Sequence, residues 1–400
     1  MTSPIHLEGT TLEGGGQLLR IAIGISSLTN VPVRITNIRG NRSGGGGLKP
    51  QHLASVQWLA NASKARLSGM GLKSKDLTFV PDSTRSFGSG WDYQTHHLPD
   101  DTFVHEFQIR QNTVGSIGLV FQAILPWILF CGCCLSSDVK HPYCLRIRIM
   151  GGTNVSNSPS YDQITQVLLP MLSLIGIPNI TAELDSRGWS NFVKGSRRLG
   201  SISFTVPPLD RYTSLPAFNL KDRGEIEQIQ ATVLAPKHHE SHVRQELESE
   251  LTNNHMAIFG TRAPIIKTHF EDSGHDKRFY LLLVATTTTG IKLGRDWLYD
   301  HKININQIDT VISQLVKQVT AKLITEIDHG GCVDEYMRDQ LVVFQALAKG
   351  KSSVYNGRKK DGTLVEPSLH AKTAQWVANA LLGVMFDEEG GCEGVGYVPS

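Results

Sequence analysis

Leu12-Glu13-Gly14-Gly15-Gly16-Gln17-Leu18-Leu19-Arg20 opens a stretch that runs on to Ile38-Arg39-Gly40-Asn41-Arg42-Ser43-Gly44-Gly45-Gly46-Gly47-Leu48-Lys49-Pro50-Gln51-His52. Apolar residues at Leu18, Leu19, Ile21, Ile23 and Ile25 keep helical spacing, so Gly14 to Leu28 is expected as a helix with Glu13 and the glycines at its start. Val31 to Ile38 alternates as a strand, and Pro50 opens a second helix through about Ala65. The local order is helix, strand, glycine loop, helix.

That order returns twice, and a repeated unit implies a repeated geometry. In the second copy Gly115 opens a helix containing Gln122, Cys144 to Met150 is a strand, Gly151-Gly152 makes the loop and Pro159 opens the next helix. In the third, Asp334 or Glu335 opens a helix containing Gln340, Ser352 to Tyr355 is a short strand, and Ser368 precedes a helix from His370. Three βαβα-type units are expected to make a large α/β (α+β) domain from residues 1–206 and 330–400. The segment 207–329 has its own pattern, with strands at Glu227 to Leu234 and Arg278 to Thr286 and helices at His242 to Leu251 and Ile305 to Ile327. It is expected as a smaller inserted α/β domain, bounded by Pro207-Pro208 and His329-Gly330-Gly331.

With 400 residues, 40% of them apolar, the chain can bury a sizeable core. A formal net charge of +2 excludes a general basic coat, so any nucleic-acid contact must come from a local patch. The six cysteines, at 131, 133, 134, 144, 332 and 392, show no paired C-x-x-C spacing and suit reduced thiols in a core. Met1 to Glu8 carries no secretory signal, and the apolar run Ile117 to Leu135 is interrupted by Gln122 and Pro126, so it suits a buried helix better than a membrane span.

Glycines at a helix start turn backbone N–H groups toward an anion, and the carboxylate of Glu13 beside them can hold Mg²⁺ or Mn²⁺. Arg39 and Arg42 flank a turn, with Arg20 on the preceding helix and Lys49 beyond the glycines; guanidinium forks bind phosphate bidentately. Tyr336, Asp339 and Gln340 share one helix face, where a ring that stacks and two polar groups suit a nucleoside. His238, His239 and His242 lie among charges and suit a solvated face. Lys194, Arg197 and Arg198 suit either RNA phosphates or a loop boundary, and Thr286 to Thr289 read as strand ends.

Taken in order, E-G-G-G-Q-L-L-R, I-R-G-N-R, Q-H-L, G-G-T-N, E-Y-M-R-D-Q-L and L-H-A-K-T resemble the RNA 3'-terminal phosphate cyclases. The resemblance implies three βαβαββ units like the C-terminal domain of translation initiation factor three, with a smaller domain inserted before the last. It implies that His370 attacks the α-phosphate of ATP to give a covalent histidyl-AMP, that AMP passes to an RNA 3'-phosphate, and that the 2'-hydroxyl then closes a 2',3'-cyclic phosphate. By the same resemblance Glu13 helps hold the divalent metal, and Arg20, Arg39, Arg42 and Gln51 grip phosphates of ATP or the RNA end. Tyr336, Asp339 and Gln340 line the nucleotide pocket, with Gln122 and Pro159 near it. Eukaryotic relatives imply a nuclear location, and no membrane partner is expected.

The chain departs from the family in its four-glycine loop, in Gly188 to Gly200, which lacks a Pro-x-Gly-Gly-Gly pattern, and in a longer insert. A cyclase-like RNA-binding factor of ribosome biogenesis would share this fold without catalysis, but such relatives lack the histidine present here at 370. An enolpyruvyl transferase would need other Lys and Arg positions. A plain RNA-binding module would need surface aromatics and a basic stripe.

Overall fold

The structure, a computed structural model, describes residues 3–82, 91–135, 142–190 and 199–398. The first unit runs β1 (Ile5–Glu8), α1 (Gly16–Thr29), β2 (Val33–Thr36), α2 (Pro50–Ser63), β3 (Arg66–Ser68) and β4 (Leu77–Val80). Its sheet has the order β1-β2-β4-β3, with β1 parallel to β2 and the other pairs antiparallel. Strand β2 is shorter than the alternation predicts, because Pro32 lacks an N–H and Asn37 turns left-handed at φ 47°.

The second unit contains β5 (Gln94–His97), β6 (Phe103–Arg110), α3 (Ile117–Cys131) and β7 (Tyr143–Gly151). Helix α4 (Tyr161–Gln163) then passes through a π-turn at Ile164–Leu168 into α5 (Leu169–Leu174), followed by β8 (Thr181–Ser186) and β9 (Gly200–Val206). The order β5-β6-β7-β9-β8 reproduces that of the first sheet with β5 added at one edge, and β6 is again parallel to β7. Lys194, Arg197 and Arg198 lie outside the described residues.

The third unit starts at β10 (Asn219–Leu220), and the insert follows: β11 (Ile226–Ala235), α6 (Glu240–Asn253), α7 (His255–Phe259), β12 (Ile266–Asp272), β13 (Tyr280–Thr287), β14 (Lys292–Leu298) and α8 (Ile308–His329). The unit resumes with α9 (Glu335–Leu347), β15 (Lys349–Val354), α10 (Leu369–Leu382) and β16 (Gly391–Val395). Its sheet, β10-β15-β16, matches the first three positions of the other two and has three strands among the described residues, where a βαβαββ unit would have four. The insert's own sheet, β12-β11-β13-β14, holds two strands, β12 and β14, that the apolar pattern does not announce. Because β10 hydrogen-bonds to β15, we propose that the insert opens after Leu220 rather than at Pro207; backbone pairing, not a change of composition, sets where a unit ends.

Helix α1 packs on α2, α3 and α10, and α9 packs on α10, so the helices of all three units share one core. Nearly every residue of α3 is buried, including Phe121, Ile124, Ile128 and Phe130, each side chain contributing about 1.5–3 kcal/mol by leaving water. The segment Ile117–Cys134 has the length and apolarity to cross a membrane, yet 78% of it is buried inside the protein. All six cysteines are free thiols.

Candidate active site

Helix starts place the side chains. Ser368 Oγ accepts the Ala371 N–H (3.2 Å) and Asp334 Oδ1 accepts the Met337 N–H (2.7 Å), so α10 and α9 are both capped, with His370 and Tyr336 in their first turns. The first unit packs on α10 through α1, and at the site one bond joins them: the Glu13 N–H donates to Thr373 Oγ1 at 3.2 Å, and Thr373 is fully buried. Glu13 thereby comes to His370, with 4.0 Å between its Oε1 and Nδ1. Glu13 Oε1 also pairs with Arg42, and its Oε2 accepts the Gly15 N–H at 2.7 Å.

The glycines before α1 have separate physical reasons. Gly14 has φ 60° and touches Asn41, while a Cβ on Gly15 would fall inside contact distance of the Glu13 carboxylate and the Arg42 guanidinium. Gly15→Ala is therefore expected to displace Glu13 and slow turnover by at least about tenfold, a cost near 1.4 kcal/mol in the barrier. Single-turnover rates beside a melting curve check this; an unchanged rate would mean that the Glu13 position does not matter.

A cavity of about 510 Å³ opens beside His370. Arg20 and Gln17 of α1, Gln122 of α3, Pro159 of the turn after β7, and Tyr336, Asp339 and Gln340 of α9 all line it together with His370. All four parts of the chain contribute, since the insert adds Asp296, Trp297, His301 and Lys322. The volume lies in the range of small-ligand sites.

Arg39, Arg42, Gln51 and Glu13 do not line this cavity. Arg42 pairs with Glu13, which faces His370. Arg39 is buried at φ 56°, and its guanidinium donates to the Gly47 carbonyl at 3.1 Å, holding the glycine loop. Gln51 Oε1 accepts the Ser116 N–H at 3.2 Å, so it ties α2 to the start of α3 and keeps its amide N–H groups for another partner.

Burial lowers the pKa of His370; Glu13 opposes the shift, and Arg20 and Arg42 add to it. The imidazole is therefore neutral at pH 7. Burial pushes Asp339 up to about 6, offset by the Gln340 amide, which donates to it at 2.9 Å, and by Arg20. Asp339 is ionised at neutral pH but only just.

Some groups at the site carried no sequence expectation. His52 is buried and accepts the Lys49 N–H on Nδ1 (3.1 Å); burial, then Arg20, Arg39 and Lys49, keeps it neutral. Its signal was a hydrogen-bonding side chain three residues into a helix, as in a capping box. Asn154 lines the cavity with its Nδ2 buried and unbonded to protein. The insert's Arg295 had no local signal.

Among the described residues no three His, Cys, Asp or Glu side chains gather to hold a metal. One carboxylate still fits Mg²⁺ or Mn²⁺ where phosphate oxygens and water supply the remaining ligands, as is usual for Mg²⁺ at nucleotide sites. His238, His239 and His242 make no such set either, and His242 faces Asp309 at 3.3 Å.

Fold and site together define an α+β protein of repeated units with a histidine at a capped helix start, a carboxylate and guanidinium beside it, and a cavity of small-ligand size. Residues 11–387 match the RNA 3'-terminal phosphate cyclase family, and the chain belongs to that family. It is 32% identical to the RNA 3'-terminal phosphate cyclase of Caldivirga maquilingensis, over 87% of this chain and 86% of that protein. It is 27% identical to the Pyrococcus furiosus RNA 3'-terminal phosphate cyclase, over 97% of this chain and 96% of that one. The probable RNA 3'-terminal phosphate cyclase of Dictyostelium discoideum is 27% identical, over 98% of this chain and 83% of that protein.

Proposed function

We propose that this protein is an ATP-dependent RNA 3'-terminal phosphate cyclase working through His370. The observation that carries the proposal is the position of His370, in the first turn of α10, lining the cavity and facing Glu13 at 4.0 Å. A carboxylate opposite Nδ1 favours the tautomer protonated there and leaves the Nε2 lone pair to attack. Nε2 bonds to the α-phosphorus of ATP, the bond to pyrophosphate breaks, and histidyl-AMP results. An oxygen of the RNA 3'-phosphate then displaces the imidazole and takes the AMP. Finally the 2'-hydroxyl attacks that 3'-phosphorus, losing its proton as AMP departs and the 2',3'-cyclic phosphate closes.

Negative charge collects around two phosphates at every step, so fixed positive groups supply much of the acceleration. Arg20, at the cavity, is assigned to ATP phosphates. Arg39, Arg42 and the amide N–H groups of Gln51, which lie outside the cavity lining, are assigned to the RNA end. Tyr336 receives the nucleobase, with Pro159 and Gln122 beside it, and Asp339 and Gln340 serve the ribose. Glu13 is the protein ligand to Mg²⁺ or Mn²⁺, an ion that screens phosphate charge when bound. A nuclear location rests on the family resemblance alone.

Incubation with ATP and an RNA ending in a 3'-phosphate should make that phosphate resistant to phosphatase. RNA that is bound but never cyclised would favour the non-catalytic RNA-binding alternative. Both His370 and Asp339 act deprotonated, so adenylation should climb as pH rises through about 6 and stay level to about pH 8. A rate still climbing beyond that, in a stopped-flow or quench series, contradicts the assignment of these groups.

A further inference from the structure

The insert does more than border the cavity, because β14 grips the start of α9 at adjacent residues. Asp334 caps α9 through one oxygen and accepts the Gly294 N–H through the other at 2.7 Å. Next along β14, Arg295 pairs with Glu326 of α8 and, at 2.9 Å, with Glu335 of α9. Its guanidinium carbon lies 4.5 Å from the centroid of the Tyr336 ring, within cation–π range. The Arg295 side chain is 8% exposed, whereas Tyr336 is 42% exposed and lines the cavity. One face of the ring is thus covered by a buried cation from the insert.

We infer that Arg295 is a positioning residue for nucleotide binding: held by Glu326, it fixes the plane of Tyr336 so that the uncovered ring face stacks on the base of ATP. The inference rests on the assignment of Tyr336 to the nucleobase. Two carboxylates fix the guanidinium in position, so the ring meets an immobile surface rather than a mobile side chain. A ring already held in its stacking plane loses less freedom when a base arrives, which raises affinity without touching the reacting atoms. The insert is then a working wall of the nucleotide site, reaching across from a separate sheet.

Arg295→Met alone leaves Glu326 buried without its partner and risks unfolding. The informative variant is therefore Arg295→Met with Glu326→Gln, which removes both charges. Two probes are compared: ATP, and ribose 5-triphosphate, which carries the phosphates and sugar without a base. The ATP concentration for half-maximal self-adenylation should rise about three- to tenfold, with the saturating rate changed by less than about twofold and ribose 5-triphosphate competing as well as before. Equal weakening of both ligands would make Arg295 a structural anchor only, and unchanged ATP dependence would also overturn the inference. Tyr336→Ala in parallel separates the failures. If it abolishes the preference for ATP over ribose 5-triphosphate while the Arg295 variant keeps it, only the Arg295 inference falls; if Tyr336→Ala keeps the preference too, the nucleobase assignment falls with it.

Discussion

Protein carrying His370→Ala is expected to fold normally and to take up no label from ATP marked at the α-phosphate, a loss of more than about 10³-fold. The side chain is 49% exposed, so its removal opens no core cavity and the melting temperature should stay close to that of the parent. In the parent the label should sit in a phosphoramidate, labile to acid and stable to alkali, and should form without RNA. Glu13 and His52 are poorly placed to take over: Glu13 is bound to Arg42 and to the Gly15 N–H, and His52 is buried with its Nδ1 engaged. Equal labelling of parent and variant would exclude His370 as the nucleophile. Burial and the nearby Arg20 and Arg42 hold the imidazole below its ordinary pKa, so labelling should stay level down to about pH 6, where Asp339 takes up its proton.

Glu13→Ala should produce the second largest loss, about 10²-fold in adenylation, with the protein still folded. Three effects of the carboxylate disappear together. It faces Nδ1 of His370, it anchors Arg42, and it is the carboxylate assigned to a metal brought by the phosphates. A titration with Mg²⁺ or Mn²⁺ divides them. If metal coordination dominates, the variant needs a higher ion concentration and partly recovers there; a constant deficit at all concentrations removes the metal role. If the Arg42 anchor dominates, Glu13→Ala and Arg42→Ala together should cost little more than Glu13→Ala, since contacting residues do not add. A loss independent of both leaves orientation of the imidazole.

The insert changes how these effects should be placed. Sequence patterns put every candidate catalytic and binding residue in the repeated units and none between residues 207 and 329. In the fold, β14 and α8 line the same cavity as His370, and Asp334 hydrogen-bonds to both the insert and α9. Burial pushes Asp334 up to about 7, with Glu326 adding to the rise. A carboxyl raised from its unfolded value near 3.8 contributes stability at acid pH that fades as pH climbs toward 7, so this junction is least stable above neutrality.

Local order, helix starts and the repeat were legible in the amino-acid sequence, because they depend on near-neighbour effects: apolar spacing, a capping Ser368 or Asp334, and glycines where the backbone must come close. Glu13 and Arg42 could be singled out as chemically suited, and His370 through the family resemblance, but no spacing made them neighbours. That proximity comes from the packing of α1 on α10 and the bond from the Glu13 N–H to Thr373 across 360 residues, and no periodicity encodes a contact at that distance. Residue type marked Arg39, and the family resemblance Gln51, as phosphate ligands, and packing adds what neither could show: a bond from Arg39 to Gly47 and one from Ser116 to Gln51. Arg295 gave no sign at all, since a single arginine in a strand becomes meaningful only when folding lays it under the ring of Tyr336. Residue type set what each group is able to do, and the tertiary structure decided which groups meet, because burial and long-range pairing alone bring distant segments together.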